Sequence, residues 1–168
     1  MLPTLRLLIL SFAMVCVHST ELTEDICSGH ISTSSNLAVE NCHDEDSFKS
    51  FSFTGCDSSP CRPVLGGTYS FNVNFTASMK SQNTKVRYTA VFDGAHPDVD
   101  ILTEEDNAAC RYMISGCPIQ AHQLSVFSHT FTLPRARIYA MLPFKIQWVL
   151  FEPNHTLACI RVPFHMTF

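Results

Sequence analysis

Between residues 68 and 77 apolar and polar side chains alternate without interruption. Tyr69, Phe71, Val73, Phe75 and Ala77 are separated by Ser70, Asn72, Asn74 and Thr76. A strict period of two places all the apolar groups on one face of a β-strand, whereas a helix would scatter them around its circumference. Similar alternation predicts strands over residues 85–92 (Val86, Tyr88, Ala90, Phe92), 144–151 (Phe144, Ile146, Trp148, Leu150) and 158–168 (Ala158, Ile160, Val162, Phe164, Met166). Residues 124–133 are also strand-like and end at Pro134, and residues 47–54 fit a strand with a break in its alternation. Between the strands lie turn-forming segments, among them Cys56-Asp57-Ser58-Ser59-Pro60-Cys61 and the polar link Ser81-Gln82-Asn83-Thr84, which predicts a hairpin. No segment sustains a helical period. Six or seven short strands joined in this way predict an all-β fold, a two-sheet antiparallel β-sandwich.

Which sandwich is meant depends on Trp148. In an immunoglobulin domain the buried tryptophan follows the first bridging cysteine. Here the single tryptophan precedes the last cysteine, Cys159, so the architecture is expected to be immunoglobulin-like without being a true immunoglobulin domain.

The first residues change the setting. Arg6 is followed by an apolar run over residues 7–17, broken only by Ser11, with Val17 and Ser19 at the −3 and −1 positions of a cleavage site. This reads as a secretory signal peptide over residues 1–19. No other stretch reaches the roughly 18 apolar residues of a membrane span, so a secreted, soluble product is expected. Asn74-Phe75-Thr76 and Asn154-His155-Thr156 are glycan acceptor sequons at Asn74 and Asn154, in keeping with export. Residues 20–40 are polar and read as an irregular N-terminal extension.

Charge excludes one class of partner. After removal of Arg6, ten Lys and Arg face fifteen Asp and Glu, and seven of the acids precede Ser47. No basic block is long enough for a nucleic-acid footprint. In the loop over residues 94–107, Asp98, Asp100, Glu104, Glu105 and Asp106 raise calcium ligation, but the spacing and central glycine of an EF-hand are missing, so a solvated loop is expected. There is no Cys-x-x-Cys and no paired histidine spacing, which argues against zinc. A Gly-x-Ser-x-Gly elbow is also absent, and His129 and His165 lie on strand-like segments with no evident catalytic partner, so no enzymatic activity and no cofactor are expected.

Seven cysteines remain after Cys16 departs with the signal peptide. In an oxidising compartment they imply disulfides with one thiol left over. Six cysteines allow fifteen pairings. Cys56 to Cys61 and Cys110 to Cys117 would each close a short loop, worth roughly 2 kcal/mol, while a loop of over a hundred residues, Cys42 to Cys159, would be worth about 5. Cys27, in the extension, is either unpaired or one end of a bridge.

These cysteines sit within a longer set of motifs. Cys56-Asp57-Ser58-Ser59-Pro60-Cys61 is followed by Gly67-Thr68-Tyr69-Ser70-Phe71-Asn72-Val73, then Ala109-Cys110-Arg111-Tyr112-Met113, Cys117-Pro118-Ile119-Gln120, Trp148 and Leu157-Ala158-Cys159. Over residues 41–168 the chain resembles the ML-type lipid-recognition family, which includes the Niemann–Pick type C secreted sterol carrier and the group 2 mite allergens. The resemblance implies the pairs Cys42–Cys159, Cys56–Cys61 and Cys110–Cys117, leaving Cys27 over. It also implies a sandwich whose interior is an apolar cavity that takes a sterol, fatty acid or glycolipid between the sheets. The implied walls are Phe71, Val73, Tyr88, Phe92, Phe144, Ile146, Trp148, Ile160 and Val162, with Val99 and Tyr139 at the mouth. The mouth loop departs from the sterol carrier's proline-rich pattern, reading Gly94-Ala95-His96-Pro97-Asp98-Val99-Asp100.

A secreted, monomeric lipid carrier is therefore the expected function, with a membrane receptor or a lipid-transfer partner as its counterpart. An accessory protein that presents microbial lipid in innate immunity is the alternative, for which Arg135 and Arg137 beside the mouth would meet anionic head groups. A sandwich packed solid, serving as an adhesion module, is the third reading.

Overall fold

Alternation is realised along nearly every strand. The computed structural model describes residues 37–43, 47–93, 97–101, 107–133, 135 and 142–167, all within the unit Ser34–Phe168. The predicted signal peptide, Cys27, Glu104, Glu105, Asp106, Arg137 and Tyr139 lie outside the described residues. The described residues form eight strands: β1 (Glu40–Asn41), β2 (Phe48–Phe53), β3 (Thr68–Thr76), β4 (Lys85–Val91), β5 (Val99–Asp100), β6 (Leu124–Thr132), β7 (Phe144–Glu152) and β8 (His155–Phe164). They build two antiparallel sheets, one ordered β1-β8-β7-β4-β5 and the other β2-β3-β6. The break expected in residues 47–54 is a register shift between Phe48 and Ser50 in the β2–β3 pairing.

One expected connection is different. Ser81-Gln82-Asn83-Thr84 does not join a hairpin, because β3 and β4 lie in different sheets. Both strands carry a continuous apolar face, and each buries that face only by packing it against the other sheet. The link is held by a buried Ser81–Thr84 hydroxyl contact, by the Ser81 hydroxyl donating to Glu152, and by backbone bonds between Ser81 and Ile119. Strand β8 also begins earlier than expected, at His155, so the β7–β8 turn is short and Asn154 sits on it, exposed.

The outer face of the smaller sheet is a ladder of hydroxyl and amide groups. The Asn74 amide donates to the Ser50 hydroxyl at 2.8 Å and the Ser128 hydroxyl to the Asn72 carbonyl at 2.7 Å. Ser70 and Thr130 meet at 2.8 Å. Such cross-strand pairs each add a few tenths to about 1 kcal/mol.

Three disulfides tie this frame. Cys42–Cys159 fastens the segment after β1 to β8, with Cα atoms 5.0 Å apart. Cys56–Cys61 closes the turn after β2, and the Cys61 amide donates to the Pro163 carbonyl of β8. Cys110–Cys117 closes a loop that begins with a 3-10 turn over Ala109–Tyr112 and lies against β6 through the Met113–Phe127 bridge.

Candidate functional site

The two inward faces do not meet equally along the sandwich. Around Trp148, which is fully buried, the gap is closed by rings. Phe127, Phe75 and Phe71 lie 5.2, 6.0 and 6.2 Å from it, centroid to centroid. Phe51 packs edge-on to Phe71 at 4.9 Å. Val73, Ile160 and Val162 are almost completely buried in the same mass. Tight packing of this kind leaves no room for a ligand.

Towards the other end the sheets enclose a cavity of about 250 Å³. One wall comes from β4 and β7, through Tyr88, Ala90, Phe144 and Ile146, with Phe92 just beyond β4. The opposite wall is the end of β6, through His129, Phe131 and Thr132, with Leu133 following. Met166 closes one side, and Val99, Asp100 and Ile101 form the rim. Val99 and Ile101 are each 43% exposed, so this rim is apolar and faces solvent. The Asp100 carboxylate accepts from the Thr89 hydroxyl at 2.8 Å, which fixes β5 on the edge of β4. Among the described residues no group of three or more His, Cys, Asp or Glu could hold a metal ion, and no helix is long and apolar enough to cross a membrane.

Two features keep this end open. Ala90 offers only a methyl group where Tyr88, two residues earlier, offers a phenol. Across the sandwich the half-buried Tyr69 turns away from the cavity. Its hydroxyl accepts from the Val64 amide at 2.8 Å, and its ring lies over Gly67, where a Cβ would come within 2.5 Å of the phenolic oxygen.

Two polar side chains of the cavity wall, from opposite sheets, meet each other. His129 Nδ1 and the Tyr88 hydroxyl are 3.3 Å apart. The Tyr112 ring covers His129 at 4.2 Å, and Phe131 flanks it at 5.4 Å. Burial pushes the Tyr88 phenol well above its ordinary value, Tyr112 adds to the shift, and the nearby Trp148 indole opposes it.

Residues 36–166 match the family model described as the ML domain. The chain belongs to the ML-domain family. Relatives of this ML domain include the protein named NPC intracellular cholesterol transporter 2 from Mus musculus, 28% identical over 120 residues that cover 71% of this chain and 76% of that protein. The Canis lupus familiaris protein of the same name is 30% identical over 116 residues, covering 68% and 74%. Both names denote transporters and not enzymes. A crystal structure of a Niemann-Pick type C2 protein from Japanese carpenter ant has the same fold, with a TM-score of 0.66 and 18% identity, over 76% of this chain and 98% of that one.

Of the wall and mouth residues implied for this ML domain, the structure brings Tyr88, Phe92, Phe144 and Ile146 to the cavity walls and Val99 to its rim. Phe71, Val73, Trp148, Ile160 and Val162 point inward as expected but belong to the ring-filled half. Alternation reports which face a side chain occupies and carries no information on what stands opposite it. His129, Phe131, Leu133 and Met166 line the cavity without having been expected there. For β6 the signal was present, since Phe127, His129 and Phe131 share one phase of its alternation. His129, for which the sequence showed no evident catalytic partner, meets Tyr88, a residue 41 positions away. The 3-10 turn that delivers Tyr112 follows no periodic pattern and was not foreseen.

Proposed function

We propose that this ML-domain protein is a secreted carrier of a hydrophobic lipid, held between its two sheets in the cavity bounded by Tyr88, Ala90, Phe92, Phe131, Phe144 and Ile146. The observation that supports this reading is a mainly apolar cavity at one end of a sandwich whose other end is filled with rings. Soluble domains normally pack to a density near 0.75, so space of this size is kept open only where it has a use. Binding would draw on apolar area removed from water, about 25 cal/mol per Å². No charged contact is required for that.

The cholesterol-transporter names of the relatives make a sterol the first ligand to test. At about 250 Å³ the cavity falls below the roughly 300–1,000 Å³ of sites for drug-sized molecules. A sterol would therefore enter only as the rim at Val99 and Ile101 gives way, whereas a slim acyl chain would need less. Glycans at Asn74 and Asn154 would stand clear of the entrance, on the outer face of the smaller sheet and on the β7–β8 turn.

Native mass spectrometry of protein secreted from eukaryotic cells tests the reading. A co-purifying mass in the lipid range that disappears on denaturation is expected. Protein secreted without lipid, and unable to take up cholesterol or fatty acid from donor vesicles, would overturn the proposal.

A further inference from the structure

Tyr88 stands in both halves of the sandwich. Its ring lines the cavity, yet it packs edge-on against Phe71 at 5.1 Å and lies 6.4 Å from Phe127, two fully buried members of the filled half. From the opposite sheet His129 comes to meet it, with Nδ1 3.3 Å from the phenolic oxygen. A third element, the 3-10 turn, lays the Tyr112 ring on His129 at 4.2 Å. Side chains from two sheets and a disulfide-closed loop thus shut the space where the cavity meets the filled half.

The two ends of the cavity differ in how firmly they are held. Tyr88 is 2% exposed and can withdraw only by giving up its ring contacts, since a close-packed interior has nowhere to receive it. At the rim, Val99 and Ile101 stand in solvent on and beside the two-residue strand β5. Between these ends the chain runs extended from Tyr88 through Ala90 to Phe92, a distance of about 13 Å. A fixed floor and a yielding rim give the cavity a defined depth.

We propose that the meeting of Tyr88 and His129 sets the depth of the cavity, and thereby the length of lipid chain that the protein shelters from water. This rests on the lipid-carrier reading above and adds a selectivity to it. Each methylene that reaches the cavity leaves water and tightens binding about fourfold. Once a chain spans the distance from floor to rim, further methylenes stay outside and add little. The limit holds whichever end of the lipid leads. Cutting back the Tyr88 ring extends the cavity towards Phe71 and Phe127, and the limit moves to longer chains.

The straight-chain alcohols from hexanol to hexadecanol test this limit, each titrated into lipid-free protein. Binding is followed by the emission of Trp148, the only tryptophan and the cross-strand neighbour of Tyr88. In the wild type, affinity is expected to climb about fourfold per methylene and then to level off at one chain length. Tyr88→Leu and His129→Ala each cut back the floor from one sheet. In both, the plateau is expected to begin at a longer chain, with hexanol bound within about fourfold of the wild type, the effect of one methylene. A thermal melt reports whether each variant is folded, and His129, only half-buried, is the milder replacement and decides the matter if Tyr88→Leu unfolds. A plateau that stays at the wild-type length in the folded variants, or no plateau in the wild type, overturns the depth limit and leaves the carrier reading standing. If no alcohol binds the wild-type protein, the carrier reading itself fails.

Discussion

The two ends of the sandwich are made from the same strands and differ in what those strands place opposite one another. At the Trp148 end, β3, β6 and β7 all send rings inward, and Phe71, Phe75 and Phe127 close on the indole within about one ring's width. At the Phe144 end, β4 contributes the single methyl of Ala90, and Tyr69 is drawn aside over Gly67 by its hydrogen bond to Val64. One end thus supplies cohesion and the other supplies space. The division of labour explains how the fold tolerates a void: the cost of unmade contacts is confined to one end, and the filled end supports it.

The sharpest way to break the contrast is to hollow the filled end. Trp148→Ala, removing a side chain packed on three rings, is expected to cost about 3–5 kcal/mol, read from chemical denaturation. A loss below about 1 kcal/mol would show that the filled end is looser than its ring contacts indicate. The same region is pinned by Cys42–Cys159, since Cys159 pairs with Val149 next to Trp148. Cys42→Ser, measured under oxidising conditions, is expected to cost roughly 2–5 kcal/mol. An unchanged melting temperature would refute a stabilising role for the bridge.

Filling the hollow end should act on binding and hardly on stability. Ala90→Phe projects a ring into vacant space, so stability is expected to change by about 1 kcal/mol or less, while co-purified lipid disappears from the native mass spectrum. Retention of lipid by this variant would place the ligand elsewhere. The smallest effect concerns the β7–β8 end. Bonds from the Ser81 hydroxyl and nearby backbone amides hold the Glu152 carboxyl below its ordinary value. A carboxyl with a depressed folded pKa stabilises the native state above its unfolded value of about 4.5, and that contribution fades as the pH falls through the lower folded value. Glu152→Gln should therefore flatten the acid limb of the stability profile and leave the hollow end unaffected. An acid limb identical to that of the wild type would contradict this.

Much of the frame was legible in the residues. The alternation over 68–77 becomes β3 with one residue trimmed, and residues 85–92, 124–133 and 144–151 become β4, β6 and β7 with similarly small changes. Two short cysteine loops were legible from their spacing, and the long bridge from the family resemblance. The Ser81–Thr84 link was misread, since a short polar connection looks the same whether it turns a strand back on its own sheet or carries it to the other one. For the site, Tyr88 and Phe71 illustrate the limit. Both are aromatic, inward-facing and buried, and they touch at 5.1 Å, yet one lines the cavity and the other fills the core.

The sequence by itself determined the periodicity, the face each side chain takes and the family to which these motifs belong. Those properties are local or compositional, and each follows from a short run of residues. Only the tertiary structure decided where rings from opposite sheets meet, where Ala90 leaves a void, and that His129 closes on Tyr88. Such matters depend on side chains distant in the chain and brought together by packing of the two sheets, and no period along a strand records what will stand across from it.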